Sequence, residues 1–154
     1  MNDRVAYLCD RLELDDLVTG YANSLDDRDW PRLRDLFTPD ATLDFTGAYG
    51  IVAERDPFVA WLEGQVTREF APEIQHLFTN RACRIDGDTA SGGFDSYNPD
   101  IIDEGNGSRY VLMNGGRYTF EARRTGDGWR FSRFAATVLW SHRAELLLFE
   151  LPES

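Results

Sequence analysis

The spacing of hydrophobic positions changes once along this chain, from a helical period to a period of two. Val5, Leu8, Leu12, Leu17, Val18 and Tyr21 recur three to five residues apart with Asp and Arg between them, which predicts an amphipathic helix over residues 3 to 23. Asp29-Trp30-Pro31 predicts the start of a second helix, since Asp caps well and proline is tolerated in a first turn. That helix carries Leu33, Leu36 and Phe37 and is expected to stop at Thr38-Pro39-Asp40. A short strand, Ala41 to Phe45, then runs into a loop containing Gly47 and Gly50. Arg55-Asp56-Pro57 opens a third helix with Phe58, Trp61 and Leu62 on its apolar side, ending near Thr67.

From Pro72 onward, alternation predicts strands over about 74–86, 88–99, 109–124 and 128–141. Asp86-Gly87-Asp88 and Thr125-Gly126-Asp127-Gly128 supply hairpin turns, where Gly and Asp tolerate positive φ. Asn98 to Ser108 is polar and reads as a loop, and Ala144 to Glu150 reads as a short terminal helix or strand. Helices followed by an antiparallel meander imply one α+β domain over residues 1–154, with a curved antiparallel sheet wrapped around the N-terminal helices. Such a sheet encloses a cone whose open end is a pocket. Leu112, Phe120, Phe131 and Leu139 are assigned to its outer face, and that much exposed apolar surface predicts a homodimer.

Charge and composition narrow the partners. A net charge of −11 repels phosphate backbones and anionic lipid heads, so neither nucleic acid nor a membrane is an expected partner. Cys9 and Cys83 form neither a CxxC motif nor a disulfide framework, which fits a reducing compartment. No basic segment followed by an apolar run opens the chain, and no stretch approaches ~18 apolar residues, so the expected location is the cytoplasm. Ten Phe, six Tyr and four Trp exceed the needs of a small core and suit a cavity for a small apolar or aromatic molecule.

Candidate chemistry centres on His76, one of two histidines and the only one inside an apolar, strand-like run. Imidazole titrates near neutral pH, so a buried one beside a carboxylate is a natural proton-transfer group. Tyr21 and Asp26, at the end of the first helix, supply a phenol and that carboxylate. Together the three would form an acid–base site requiring no metal and no cofactor. The competing reading makes His76 a satisfied core histidine and Tyr21 an ordinary core residue. Phe37, Tyr49, Trp61, Phe78 and Tyr97 are the candidate pocket wall. Asn80 is either a pocket hydrogen-bonder or a bulge residue, and on the following strand only one parity of Asp95, Ser96, Tyr97 and Asn98 can point inward. Arg117 is assigned to a salt bridge with the acidic helices, His142 to the surface, and Trp30, Trp129 and Trp140 to core or interface.

Several runs in this order resemble the SnoaL-like branch of the NTF2-like superfamily. They are Asp26-Asp27-Arg28-Asp29-Trp30, Leu36-Phe37-Thr38-Pro39-Asp40-Ala41, Gln75-His76-Leu77-Phe78-Thr79-Asn80, Asp86-Gly87-Asp88-Thr89-Ala90, Gly115-Gly116-Arg117-Tyr118 and Gly128-Trp129-Arg130. The resemblance spans about residues 8 to 141 and implies a cone-shaped α+β fold, often dimeric through the outer sheet face. It also implies a range of activities, so fold alone does not settle function. Tyr21, Asp26 and His76 are similar to the acid–base set of the scytalone and bile-acid dehydratases, which tend to carry a further His or Asp on the next strand. The expectation is therefore a dehydratase or a cyclase-like isomerase acting on a polycyclic or polyketide-like molecule. The other expectation is a small-molecule-binding or assembly module without turnover.

Overall fold

A computed structural model describes residues 3–146. The elements are α1 (Asp3–Asp27), α2 (Trp30–Asp35), β1 (Phe37–Gly47), β2 (Ile51–Glu54), α3 (Arg55–Gln65), β3 (Leu77–Asp86), β4 (Thr89–Asp103), β5 (Arg109–Thr125) and β6 (Gly128–Glu145). The six strands form one sheet in the order β2-β1-β6-β5-β4-β3. Every neighbouring pair is antiparallel except β1 with β6, which is parallel, so the sheet is mixed. It is curved and does not close, and the architecture is α+β, as the pattern predicts.

Helix α1 lies against β3 and β6, α3 against β1 and β2, and α2 joins the two helices at the base. Asp29 caps α2 as expected, its Oδ1 accepting from the Arg32 N–H at 3.0 Å, with Pro31 in the first turn. The buried face of α1 begins only at Leu14, whereas Val5, Leu8 and Leu12 are exposed, Leu12 at 65%. Their spacing gives a helical stripe, but the sheet does not reach under them.

The strands differ from expectation in extent. Phe37 belongs to β1 rather than to the second helix, because the Leu36 C-cap ends that helix and hands the chain to β6, where Phe131 N–H donates to Leu36 O at 2.9 Å. The Gly50 loop is followed by a short edge strand, β2, that pairs with β1. The segment read as a polar loop is mostly strand: β4 pairs with β5 without interruption from Thr89 opposite Arg123 to Asp103 opposite Arg109. Ala144 and Glu145 are the last two residues of β6, while 147–150 lie outside the described residues.

Bulges decide which side chains point inward. Register shifts between Gly115 and Gly116 and between Glu121 and Ala122 move the parity of β6 relative to simple alternation. Phe131 is consequently a core residue, whereas Phe120 keeps plain alternation with Tyr118 and Ala122 on the inward face of β5. Leu112 lines the cavity described below; of the four residues assigned to the outer face, Leu139 is the exposed one. Gly92 is required where the sheet curves, since a Cβ there would stand 2.3 Å from Ala82 O.

Candidate active site

The inside of the cone has two parts. Its floor is an aromatic cluster in which Tyr21 lies 4.6 Å from Phe134 and 6.1 Å from Phe78, centroid to centroid, while Phe94 stacks on Tyr118 at 5.0 Å. Above the floor a cavity of about 470 Å³ opens between α1, α3, the loop before β3, and β4 to β6. Tyr49 and Trp61 form one wall, their rings 5.7 Å apart. This volume suits a small molecule, and the lining is mainly apolar with a few polar groups.

His76 stands on the cavity wall immediately before β3, and Asp26 reaches it from the last turn of α1. His76 Nδ1 and Asp26 Oδ1 are 2.6 Å apart, and both carboxylate oxygens accept from the His76 backbone N–H at 3.1 Å. The two side chains are 13% and 26% exposed, so water has limited access to the pair. A carboxylate accepting at Nδ1 places the ring proton there and leaves the Nε2 lone pair free to take a proton.

Asp100, on the inward face of the extended part of β4, also lines the cavity. Its Oδ1 accepts weakly from the Gln75 N–H at 3.4 Å. Burial pushes the Asp100 carboxyl above its ordinary pKa, against the pull of His76 and the Gln75 N–H. The periodicity reading missed this residue because a cavity-facing position is polar where a core-facing one is apolar. On the β5–β6 wall, Ser141 Oγ donates to Asn114 Oδ1 at 2.7 Å, and both residues line the cavity.

The structure thus brings Asp26 and His76 together and puts Tyr21, Tyr49 and Trp61 around the same space. Tyr21 is 1% exposed, and burial raises its phenol pKa well above the ordinary value. It borders the cavity from the floor, with no hydrogen bond to Asp26 or His76 among the described residues. Phe78 packs under the site, edge-on to His76 at 5.9 Å. Phe37 is buried on the far side of the aromatic cluster, against Phe131 and Phe134. Asp95, Tyr97 and Asn80 do not meet the expectation of substrate contact. On β4 the inward parity is Phe94, Ser96, Asn98, Asp100 and Ile102, which turns Asp95 and Tyr97 to the convex face. Asn80 sits at a β-bulge with φ 53, and its Nδ2 donates to Asp95 Oδ2 at 2.8 Å on that convex face. Arg117 pairs with Asp95 there at 3.2 Å rather than with the helices. His142 is exposed, Trp129 is core, and Trp140 is exposed with its ring lying over Gly115, where a Cβ would clash with it. Among the described residues no group of three or more His, Cys, Asp or Glu side chains is placed to hold a metal ion. No described helix is long and apolar enough to cross a membrane.

A helix-backed, curved and unclosed sheet around a cavity is an NTF2-like architecture, and the sequence comparison agrees. Residues 6–135 match the SnoaL-like domain, and the chain belongs to that family. An uncharacterized protein of Mycobacterium tuberculosis, Rv2910c, is 36% identical over 133 residues, which cover 86% of this chain and 88% of that protein. Among solved structures, a type 2 hexachlorocyclohexane dehydrochlorinase (LinA) superposes with a TM-score of 0.81 at 21% identity, covering 97% of this chain and 98% of that one. A putative scytalone dehydratase from Novosphingobium aromaticivorans gives 0.79 at 19% identity, covering 96% and 94%. At these identities the two structures demonstrate a shared fold.

Proposed function

We propose that this protein is a lyase whose own side chains remove a proton and a leaving group from adjacent carbons of a small, largely apolar ring compound. The observation that carries the reading is the Asp26–His76 pair at 2.6 Å on the wall of a 470 Å³ cavity. His76 Nε2 takes the proton, the C–H electron pair becomes the new C=C bond, and the leaving group departs with the electrons of its own bond. Asp26 holds the ring in the tautomer that exposes Nε2 and stabilises the imidazolium as it forms. When the leaving group is a hydroxyl, the Asp100 carboxyl, kept protonated more readily by burial, can supply its proton and release water. Tyr21 and Tyr118, whose phenols stay neutral in the aromatic floor, provide donors for a carbonyl oxygen that gains charge. The same base serves an isomerase step on a polycyclic or polyketide-like substrate, where the proton returns to a different carbon, or a cyclase step, where the enolate carbon bonds to a carbonyl carbon and the proton passes to the oxygen of that carbonyl. The fold neighbours include proteins named as a hexachlorocyclohexane dehydrochlorinase and a putative scytalone dehydratase, and both names describe eliminations, which adds weight to the lyase form.

The test uses a panel containing hexachlorocyclohexane, read by chloride release, and scytalone, read by loss of water. Turnover of at least one member is expected, falling about 10²- to 10⁴-fold in Asp26→Asn and in His76→Ala with the fold retained. A wild-type protein that binds apolar ligands, seen by a change in tryptophan fluorescence that Trp61→Phe abolishes, yet turns over none of them would replace the enzyme by a binding module. Exposed Leu77, Tyr97, Leu139 and Trp140 on the convex face support a homodimer in the same proposal. Light scattering should then report twice the 17.6 kDa chain mass, and a monomer at micromolar concentration would remove that part.

A further inference from the structure

The end of α1 carries a backbone geometry that its residue does not ordinarily adopt. Arg28 N–H donates to Leu25 O at 3.0 Å and Asp29 N–H donates to Ser24 O at 2.8 Å, the paired bonds that close a helix through one left-handed residue. That residue is Arg28, with φ 57, at a position glycine usually takes because a Cβ is penalised there. Asn80 is the other described non-glycine residue at positive φ, and Asn tolerates that region. A strained residue that persists points to something its side chain does.

From this backbone the Arg28 guanidinium reaches the cavity rim. Nε donates to Val66 O at 2.9 Å, and Nη2 donates to Ala71 O. Val66 caps α3, and Ala71 lies in the stretch that leads to β3, so one planar group spans both ends of the turn between them. Val66, Phe70, Ala71, Ile74 and His76 all line the cavity, and this stretch belongs to no helix or strand apart from a single bridge, Glu73 to Ile101. Its position therefore rests on a few directional bonds. On the β4 side, Ile101 N–H donates to Glu73 O at 2.8 Å and Asp103 N–H donates to Phe70 O at 2.9 Å. On the helix side the bonds come from Arg28 and from Asp26, two residues apart on the same turn. Glu73, Asp26 and Asp100 are the acidic groups that face the guanidinium, with Arg68 the opposing cation.

We propose that Arg28 is a positioning residue of the site: it fastens the 66–76 segment to the end of α1 and so sets where His76 stands against Asp26. The positioning role rests on reading that pair as the reacting groups, while the fastening itself does not. Lysine cannot reproduce it, since an ammonium presents a point charge and not a fork able to reach two carbonyls.

Arg28→Gly separates positioning from simple support, because glycine favours φ 57 and leaves the helix end relaxed. The protein is the full chain carrying His142→Gln, which removes the second imidazole signal from a surface position. Two readouts need no substrate: amide hydrogen exchange over 66–76, and ¹⁵N NMR titration of the His76 ring. Arg28→Gly is expected to keep a cooperative thermal transition close to the parent, to raise exchange in 66–76 by roughly tenfold or more over the unchanged β4–β5 ladder, and to displace the His76 titration midpoint. Arg28→Lys should fall between the two. Unchanged exchange and an unchanged His76 titration would overturn the proposal, and so would a collapse of the whole fold, which would make Arg28 a support for the domain. Because neither readout involves turnover, failure of the elimination chemistry and failure of this inference are seen in different experiments.

Discussion

The floor and the rim of the cavity are built on different principles. At the floor, Tyr21, Phe37, Phe94, Tyr118, Phe131 and Phe134 surround one another at centroid distances of 4.6 to 6.1 Å, each ring touching several others. Position there is determined many times over by packing that depends little on angle. At the rim, His76, Asp26, Asp100 and the preceding loop are placed by a few hydrogen bonds from a helix end and a strand extension. The comparison teaches that stability is concentrated where rings pack on rings, and that the candidate reacting groups sit where a few directional bonds decide geometry.

Removing a floor residue should therefore have the largest effect on folding. Phe134→Ala empties a fully buried site in contact with six other rings and is expected to cost about 3–5 kcal/mol, enough to unfold much of a small domain, as measured by urea denaturation. A rim substitution should do the reverse. Asp26→Asn retains a carbonyl that can accept from the His76 N–H, so the same denaturation curve should move by only about 1 kcal/mol while turnover collapses. If the two variants lost equal stability, the division between floor and rim would not hold.

The smallest effect is expected at Asp100 and sharpens the comparison through pH. Burial raises the Asp100 pKa above the ordinary aspartate value of 3.8, so the folded protein holds that proton more tightly than the unfolded chain. The associated stability is complete below 3.8 and is lost as pH rises through the folded value. Asp100→Asn, which never ionises, should melt higher than wild type at pH 7, and the margin should shrink as pH falls toward 3.8. A margin that stays constant across that range would mean that Asp100 ionises without penalty.

Legibility in the sequence follows the same division. The floor side of α1, the Asp29 cap, the third helix and both hairpin turns announce themselves because apolar spacing and turn residues act locally. His76 and Asp26 were legible as residue types, and the resemblance placed them in one cavity, but their contact spans two distant elements that no local spacing encodes. The end of β4 was not legible. Asn98 and Asp100 point inward at a cavity while Tyr97, Pro99 and Ile101 take the other parity, so the usual alternation is inverted there and reads as loop. Phe131 was misassigned because the bulges on β6 are invisible to a strict period of two, and Phe120 because alternation groups residues on one face without saying which face turns inward.

The parallel pairing of β1 with β6 has a consequence for how the molecule comes into being. Residues 37–47 find their sheet neighbours at residues 131–137, so nearly the whole chain must be present before that seam can form. Contacts of such long sequence separation slow folding, because the entropy of closing the loop is lost before the pairing returns anything. The cavity draws one wall from each side of the seam, with Phe45 and Tyr49 from the β1 side and Val138 and Ser141 from β6. On a ribosome, the helices and the β3–β5 meander can gather while β6 is still being made. The pocket itself is finished only when the last strand arrives.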